Sequence, residues 1–253
     1  MVERPDRSAI IAGSGSGIGR AVARDLAARG YALTLVGRRR DALIETAALL
    51  TGEAARARIW PLDLSDATGH EEAVSGHLRD FGGVDGLVIS SGIYRSAPLL
   101  NLADEDWSKV FETNFTGTRR LVGAVLPQLL RRGQGRIVFI GSVIAQQSEP
   151  GSAAYSASKA AMHSLARSIA VDYGAQGISA NTIAPGWVDT PMAAEDIDEL
   201  GVEGMRKVNP MGRAATAEEI GNVAAYLVDQ APAFLNGSVI AVDGGQSIIA
   251  PAT

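Results

Sequence analysis

The amino-acid sequence predicts an α/β fold, a doubly wound and mostly parallel sheet of seven strands in a single domain. Short apolar runs typical of buried strands alternate with helical patterns from one end of the chain to the other. A glycine-rich turn at residues 13–19 joins the first of these strands to the first helix. The 253 residues contain no internal repeat or linker, and this length suits one large α/β domain. We therefore treat residues 1–253 as one domain.

The first half of the chain predicts four strands with three helices between them. Each strand is a short apolar run, and the runs cover residues 8–12, 32–36, 56–62 and 86–90. The helices cover residues 20–30, 41–50 and 66–81. The first helix is amphipathic and ends at Gly30, in keeping with the preference for glycine at helix C-termini.

The second half continues the alternation with strands at residues 137–140, 178–184 and 237–242. Its helices cover residues 104–132, a segment through Tyr155 to about residue 173, and residues 216–229. Pro127 is expected to bend or interrupt the first of these helices. Thr216 and Glu219 form the capping box that marks the start of the last one.

Composition and charge exclude several classes of protein. A net charge of −5 argues against a general binder of nucleic acid or anionic membranes. The chain has no cysteine, which excludes disulfides and thiolate chemistry, and no metal site is predicted. No apolar run approaches the roughly 20 residues that span a bilayer, and the N-terminus lacks the apolar core of a signal peptide. We expect a cytoplasmic protein with no nucleic-acid or membrane partner.

One stretch, residues 141–159, concentrates side chains suited to catalysis. Tyr155 and Lys159 are four residues apart on a predicted helix and therefore share one face. A phenol has an ordinary pKa near ~10, and an ammonium group beside it lowers that pKa. Ser142 follows the strand at residues 137–140, at the end where open α/β sheets bind ligands. A hydroxyl, a phenol and a cation are thus predicted to converge on one small polar group, such as a carbonyl.

The glycine turn predicts a dinucleotide-binding site. Gly13, Gly17 and Gly19 lie between a strand and a helix, which is the context that such a turn requires. Glycines let the backbone approach a pyrophosphate, and the helix N-terminus supplies N–H groups and a positive dipole end. The spacing is not the usual G-x-G-x-x-G, and a tight turn without a ligand is the alternative interpretation.

The end of the second strand favours NADP over NAD. An acidic residue there binds the ribose 2′-OH of NAD, whereas an arginine accommodates the 2′-phosphate of NADP. This chain has Arg38, Arg39 and Arg40, with no acid before Asp41. Cations at a helix N-terminus oppose the helix dipole by ~0.3–1 kcal/mol each, which favours an anion nearby. We expect NADP, with Arg38 as the main contact and Arg39 second, while a solvated basic helix start is the alternative.

Taken together, these residues resemble the short-chain dehydrogenase/reductase family, in its compact single-domain branch with 3-oxoacyl-acyl-carrier-protein reductase-like members. The resemblance covers about residues 8–245 and implies a Rossmann fold. Its motifs occur in the order and spacing of the family: the glycine turn, Asn114, Ser142, Tyr155-x-x-x-Lys159, Pro185-Gly186 and Asp243-Gly244-Gly245.

The resemblance also implies a role for each catalytic residue. Tyr155 would be the general acid in ketone reduction and the base in alcohol oxidation. Ser142 would polarise the substrate oxygen, and Lys159 would lower the pKa of the phenol and bind the nicotinamide ribose. Asn114 would hold a water molecule that connects Lys159 to solvent. An ordinary polar residue on a helix is the alternative for Asn114.

The glycine turn, the basic residues and the resemblance together predict a cofactor site. Asp63 is expected to accept a hydrogen bond from the adenine amino group, and the backbone of Val188 to pair with the carboxamide. The full set is Gly13, Ser14, Ser16, Gly17, Ile18, Gly19, Arg38, Arg39, Asp63, Leu64, Ser91, Gly92, Tyr155, Lys159, Pro185, Gly186, Val188 and Thr190.

Two segments depart from the family pattern. Ala12 stands where the family usually has threonine, and Ile89-Ser90-Ser91-Gly92 stands in place of Asn-Asn-Ala-Gly. In the family these side chains tie the central strands together. Both sides of the tie have changed here. The backbone of residues 89–92 is expected to keep its contacts with the adenosine ribose, whereas side-chain contacts from this segment stay open.

The substrate site is predicted from the residues near Ser142 and from a lid at about residues 187–212, which is expected to be irregular. The acidic residues of this lid are interpreted as a solvated face. An apolar or ring-bearing substrate is expected. The predicted substrate-binding residues are Ser142, Val143, Ile144, Tyr94, Tyr155, Trp187 and Met192.

The sequence therefore predicts an NADP-dependent oxidoreductase that interconverts a small-molecule ketone and a secondary alcohol. An NAD-dependent alcohol dehydrogenase and a non-catalytic nucleotide-binding regulatory protein are the alternatives. The resemblance implies a homodimer or homotetramer, formed through the helices around Tyr155 and Asn114. The apolar tail, residues 248–253, is a candidate for docking on a neighbouring subunit.

Overall fold

The fold is organised around one sheet of seven parallel strands, which confirms the predicted fold class. The computed structural model describes residues 7–51 and 56–249. The strands are β1 (Ser8–Ala12), β2 (Ala32–Gly37), β3 (Ala57–Pro61), β4 (Gly86–Ile89), β5 (Gly135–Ile140), β6 (Ile178–Pro185) and β7 (Val239–Val242). They pair in the order β3-β2-β1-β4-β5-β6-β7, and every pair is parallel.

Helices cover both faces of this sheet. They are α1 (Gly17–Ala28), α2 (Arg40–Ala48), α3 (His70–Phe81), α4 (Asp104–Phe111), α5 (Gly117–Arg132), α6 (Ile144–Gln147), α7 (Ala153–Tyr173), α8 (Ala194–Val208) and α9 (Ala217–Asp229). Within the described ranges, none of them combines the length and the hydropathy that crossing a bilayer requires. The capping box of Thr216 and Glu219 at the start of α9 is present as predicted.

The hydrophobic core lies in two layers, one on each face of the sheet. Ile11 of β1 belongs to the layer that includes Leu26 of α1 and Ile220 of α9. Its neighbour Ile10 belongs to the opposite layer, with Leu121 of α5. All five side chains are fully buried, and burying a residue of this size stabilises a fold by roughly 1.5–3 kcal/mol. Burial on both faces explains why the strands are continuous apolar runs in the sequence.

The lid segment differs from its prediction because it contains a helix. Helix α8 covers most of residues 187–212, which were expected to be irregular. Acidic residues at its start and basic residues at its end suit the helix dipole. Gly201 breaks the helix with φ 58° and ψ −177°. Glycine disfavours a helix interior, so a glycine within this acid-rich segment favoured an irregular structure in the sequence.

The helical region at residues 104–132 is interrupted, but Pro127 is not the cause. Helix α5 continues through Pro127. The interruption is a π-helical turn at Glu112–Thr116, between α4 and α5. Such turns insert an extra residue into a helix and frequently occur at functional sites. One helix start also differs, since α3 begins at His70 rather than near Asp66.

Helix α7 has a face of mainly small residues, Ala154, Ser158, Ala161 and Leu165, and part of this face packs within the subunit. Ala154 and Ser158 on this face are fully buried. The homodimer or homotetramer therefore stays a prediction that rests on the resemblance. The tail predicted to dock on a neighbour lies outside the described residues from position 250 onward.

Candidate active site

A cleft opens at the carboxyl end of the sheet, with a volume of about 420 Å³. The segments that follow five different strands line it. They contribute Gly13 after β1, Arg38 after β2, Ser91 after β4, Ser142 after β5 and Gly186 after β6. This is the edge at which open parallel sheets bind ligands.

The glycine turn between β1 and α1 is built by close backbone contact. A Cβ atom on Gly19 would overlap the carbonyl oxygen of Gly13, and Gly13 itself has φ +83°. Ser16 precedes α1 but makes no side-chain capping bond, and the first turn of α1 has no acidic residue. The leading N–H groups of α1 therefore have no side-chain partner, and this arrangement fits the pyrophosphate of a dinucleotide.

The end of β2 provides two exposed arginines to the cleft. The guanidinium of Arg38 lies 3.9 Å from Oδ2 of Asp63, and Arg39 lines the cleft beside it. Oδ1 of Asp63 accepts hydrogen bonds from the main-chain N–H of Ser65 (3.0 Å) and from its hydroxyl (2.8 Å). The positive charge at this end of the cleft fits a phosphate group on the ribose.

The altered central segments are joined by the main chain. The N–H of Ser90 donates to the carbonyl oxygen of Ala12 at 2.9 Å, and Ala12 is fully buried. A Cβ atom on Gly13 would lie 2.5 Å from the nitrogen of Ser91, so the two segments are in tight contact. The hydroxyl of Ser91 is buried without a hydrogen-bond partner, and Ser91 lines the cleft.

Helix α7 brings Tyr155 and Lys159 to the floor of the cleft, beside Ser142. Nζ of Lys159 donates to the carbonyl oxygen of Ile140 at 2.7 Å and lies 5.5 Å from the centre of the Tyr155 ring. The ring of Tyr94 meets the ring of Tyr155 edge-on, with their centres 5.1 Å apart. The predicted hydroxyl, phenol and cation therefore share one site.

The pKa values on this floor differ from the expectation that Lys159 lowers the pKa of the phenol. Burial raises the pKa of Tyr155 to about 12, although its hydrogen bond with Ser142 acts in the opposite direction. Burial also lowers the pKa of Lys159 to about 8. The same low-polarity surroundings disfavour both charged forms. Tyr155 therefore carries its proton at neutral pH and is ready to donate it.

Asn114 lies in the π-helical turn and connects it to the segment after β4. Its Oδ1 accepts from the N–H of Ile93 at 2.8 Å, and its Nδ2 donates to the carbonyl of Ile93 at 3.0 Å and to Ser158 Oγ at 3.1 Å. Both amide hydrogens are thereby used. A water molecule would have to bind at Oδ1 or at the main-chain carbonyl of Asn114.

The loop after β6 forms one wall of the cleft. The carbonyl oxygen of Trp187 and the N–H of Asp189 pair with Ala215. In parallel pairing the N–H of the intervening Val188 points to the opposite side. Val188 lines the cleft, so this N–H is suitably placed for a ligand.

Most of the predicted site residues line the cleft, but three do not. Ser14 is fully buried, and its hydroxyl donates to the carbonyl oxygen of Val36, so its side chain is not available to a cofactor. Gly19 packs against the carbonyl oxygen of Gly13 on the side of the turn away from the cleft, and Asn114 lies behind the cleft wall. The predicted residues that line it are Gly13, Ser16, Gly17, Ile18, Arg38, Arg39, Asp63, Leu64, Ser91, Gly92, Tyr94, Ser142, Val143, Ile144, Tyr155, Lys159, Pro185, Gly186, Trp187, Val188, Thr190 and Met192.

Sequence reasoning missed several cleft residues. Glu149, from the loop between α6 and α7, and Asp196, from α8, both line the cleft, as do Ser96 and Gln246. Asp196 belongs to the lid acids that were interpreted as a solvated face, and it is exposed to solvent at the edge of the cleft. Glu149 lies between Ser142 and Tyr155 in the sequence, which is the one signal that could have identified it. Among the described residues, no cluster of acidic residues and histidines could hold a metal ion.

The sequence and the fold are both similar to known oxidoreductases. A family model described as enoyl-(acyl carrier protein) reductase matches residues 12–247. The 3-oxoacyl-(acyl-carrier-protein) reductase of Escherichia coli is 33% identical over 243 residues, which cover 95% of this chain and 97% of that protein. An alignment of this length at this identity indicates common ancestry rather than a shared fold alone.

Two solved structures superpose on the whole fold. Levodione reductase has a TM-score of 0.91 and 32% identity, covering 97% of this chain and 99% of its own. A gluconate 5-dehydrogenase from Burkholderia cenocepacia, solved in complex with NADP and tartrate, has a TM-score of 0.90 and 31% identity. It covers 97% of this chain and 96% of its own.

Proposed function

The chain belongs to the short-chain dehydrogenase/reductase family and is an NAD(P)-dependent oxidoreductase of CH–OH groups, and we propose that it interconverts a ketone and a secondary alcohol with NADP. The observation that carries this proposal is the convergence of Tyr155, Ser142 and Lys159 on the floor of the cleft, beside the glycine turn. A bound nicotinamide would supply the hydride acceptor or donor.

The side chains on the floor would bind the substrate and move its proton. The hydroxyl of Ser142 would donate to the carbonyl oxygen, and the phenol of Tyr155 would protonate that oxygen during reduction. In the reverse direction Tyr155 would accept the proton of the alcohol. Its raised pKa keeps the phenol protonated near neutral pH, which is the form that reduction requires. Lys159 would bind the nicotinamide ribose and stabilise the phenolate as it forms.

NADP is the preferred cofactor in this proposal because of the charge at the end of β2. Arg38 and Arg39 would bind the 2′-phosphate, while the turn after β1 would hold the pyrophosphate. Asp63 would accept from the adenine amino group, and the N–H of Val188 would bind the carboxamide. NADP in the neighbouring gluconate 5-dehydrogenase structure supports this assignment. An NAD-dependent enzyme is the second candidate, since Asp63 is close enough to Arg38 to compete with a phosphate for it.

The catalytic role is tested by Tyr155→Phe, which removes the proton donor and keeps the ring. With NADPH and cyclohexanone as a neutral probe, kcat is expected to fall by about 10²–10⁴-fold. Nicotinamide fluorescence should show that NADPH still binds. Tyr173→Phe, at the far end of the same helix, is the matched control and should leave kcat unchanged. Undiminished turnover by Tyr155→Phe would overturn the mechanism.

The remaining expectations are part of the same proposal. Helix α8 would act as the substrate lid, with Trp187 and Met192 contacting the substrate at its base. The substrate would be a small molecule, and the protein would form a homodimer or homotetramer and function in the cytoplasm. Light scattering at micromolar protein concentration measures the oligomeric state directly. A monomer in that measurement would contradict the proposed homodimer or homotetramer.

A further inference from the structure

Three side chains on one face of helix α7 meet the end of strand β5. Tyr155, Lys159 and His163 are spaced four residues apart, so they follow one another along this face. Tyr155 hydrogen-bonds with Ser142, and Lys159 donates to the carbonyl oxygen of Ile140. Tyr155 and Lys159 take part in the proposed chemistry, whereas His163 has no role in it. The contact that His163 makes with the end of β5 therefore needs its own explanation.

His163 packs against Gly141, the residue between Ile140 and Ser142. A Cβ atom on Gly141 would overlap Nε2 of the imidazole and would lie 2.9 Å from its Cδ2. The methyl group of Thr182, on β6, closes the same space at 2.7 Å. Gly141 does not adopt a positive φ. Its backbone conformation therefore suits any residue, and only the imidazole and the methyl group beside it require glycine here.

The imidazole of His163 is buried and neutral. Its exposed fraction is 3%, and Nε2 has no hydrogen-bond partner among the described residues. Burial lowers the pKa of His163 to about 4, and the positive charges of Lys159 and Arg167 act in the same direction. A polar atom buried without a partner destabilises a fold. Neither a charge nor a hydrogen bond at Nε2 accounts for this histidine, so its steric contact with Gly141 is the property that bears on the site.

We propose that His163 is a positioning residue, which holds the hydroxyl of Ser142 against Tyr155 by filling the space beside Gly141. The inference rests on the proposed function for the role of that hydroxyl. On the side of β6, the segment is fixed by a hydrogen bond of 2.7 Å from the N–H of Gly141 to the carbonyl oxygen of Ile183. The imidazole supplies the support on the side of α7. Without it, the main chain before Ser142 would shift, and a displacement of about 1 Å at a catalytic group can cost about 10²-fold in rate.

The test exchanges volume between the two residues in contact. His163→Ala removes the imidazole, Gly141→Ala adds a methyl group that the imidazole blocks, and the double variant places that methyl group in the vacated space. With NADPH and cyclohexanone, we expect kcat to fall by about tenfold or more in each single variant. In the double variant, kcat should recover to within about threefold of the wild-type value, because the two changes are coupled. The Kd for NADPH should be unchanged in His163→Ala.

A spectroscopic readout separates this inference from the proposed function. Tyrosine labelled with ¹³C at Cζ reports the hydrogen bond of the Tyr155 phenol at pH 7, and Tyr155→Phe assigns its resonance. His163→Ala should shift this resonance in the same direction as Ser142→Ala does, and the double variant should return it toward the wild-type position. If these shifts occur but cyclohexanone is not reduced, the proposed function fails and the positioning of Ser142 stands.

Ile169→Ala is the matched control, because Ile169 is about as buried as His163, lies more than one turn further along α7 and packs in the hydrophobic core. It should lower the urea midpoint as His163→Ala does, but leave kcat and the Tyr155 resonance unchanged. An equal loss of kcat in Ile169→Ala would mean that stability, rather than position, is responsible, and would overturn the proposal.

Two further results would overturn it. One is an unchanged kcat in His163→Ala. The other is a double variant that recovers neither kcat nor the resonance, because the imidazole would then act through its chemistry instead of its volume beside Gly141. Should Gly141→Ala not fold, the comparison of His163→Ala with the double variant carries the same test.

Discussion

The two ends of the cleft are built from different material. At the cofactor end, the main chain forms the surface, in the glycine turn and in the segments after β2 and β4. At the substrate end, side chains form it, and they come from the loop around Ser148 and from α8. Main-chain surfaces bind a ligand common to many enzymes, whereas side-chain surfaces can be changed one residue at a time. This difference explains how one scaffold accepts many substrates.

A substitution that distorts the main chain of the glycine turn should have the largest effect on cofactor binding. Gly19→Ala would place a methyl group against the carbonyl oxygen of Gly13 and distort the turn. We expect the Kd for NADPH to rise by at least 100-fold, with a loss of stability measurable by urea unfolding. Gly123→Ala is the control, because a Cβ atom there meets nothing within 4 Å. It should stabilise α5 by about 0.5–1 kcal/mol, and a similar gain for Gly19→Ala would contradict this account of the turn.

The buried ammonium group of Lys159, on the floor between the two ends of the cleft, should lower the free energy of unfolding. The pKa of Lys159 is about 8 in the folded protein, below its ordinary value of 10.5. The unfolded chain therefore binds this proton more tightly, and the free energy of unfolding should rise between pH 8 and pH 10.5. Lys159→Met should raise that free energy by about 2 kcal/mol at pH 7, after allowing for the lost bond to Ile140.

Urea unfolding at pH 7 and pH 10 checks this prediction. The gain from Lys159→Met should shrink above pH 8, because the wild-type lysine then loses its charge in the folded state. The exposed Lys207→Met should show no such gain. A gain that is equal at both pH values would mean that packing, rather than the buried charge, is responsible.

Removing one side chain from the cofactor end should change selectivity more than the fold. Arg38→Ala should raise the Kd for NADPH by about tenfold, which corresponds to one charge-assisted contact, and should leave the Kd for NADH unchanged. Nicotinamide fluorescence measures both constants. Arg40→Ala removes a neighbouring charge that does not line the cleft. Equal losses for NADPH and NADH would exclude a 2′-phosphate contact at Arg38.

The smallest effect is expected at the strained residue of the substrate end. Ser148 has a positive φ, and such a backbone conformation costs a residue other than glycine about 1–3 kcal/mol. Glycine adopts the same φ without strain. After the greater freedom of glycine in the unfolded chain is subtracted, Ser148→Gly should stabilise the protein by about 1 kcal/mol. The control Ser108→Gly, in helix α4, should destabilise it by about 0.5 kcal/mol. Destabilisation by Ser148→Gly would show that its backbone is not strained.

The cofactor end could be predicted from the sequence because local rules fix it. Close backbone contact requires glycine at positions such as Gly19, and one helical turn brings Tyr155 beside Lys159. The substrate end depends on contacts between distant segments. Glu149 and Asp196 line the same cleft only in the folded chain, and Asp196 lies on a helix that the sequence did not predict. Burial likewise sets the pKa of Tyr155, and the local spacing from Lys159 could not reveal how strongly.

The π-helical turn at Glu112–Thr116 makes the chain sensitive to its length at that point. An α-helix rotates by about 100° per residue, so the extra residue offsets the phase of α4 relative to α5. Deleting one residue there would allow a continuous α-helix, but it would turn α4 by that angle and remove Asn114 from Ile93. A substitution alters one side chain, whereas this deletion would misalign every contact of a helix.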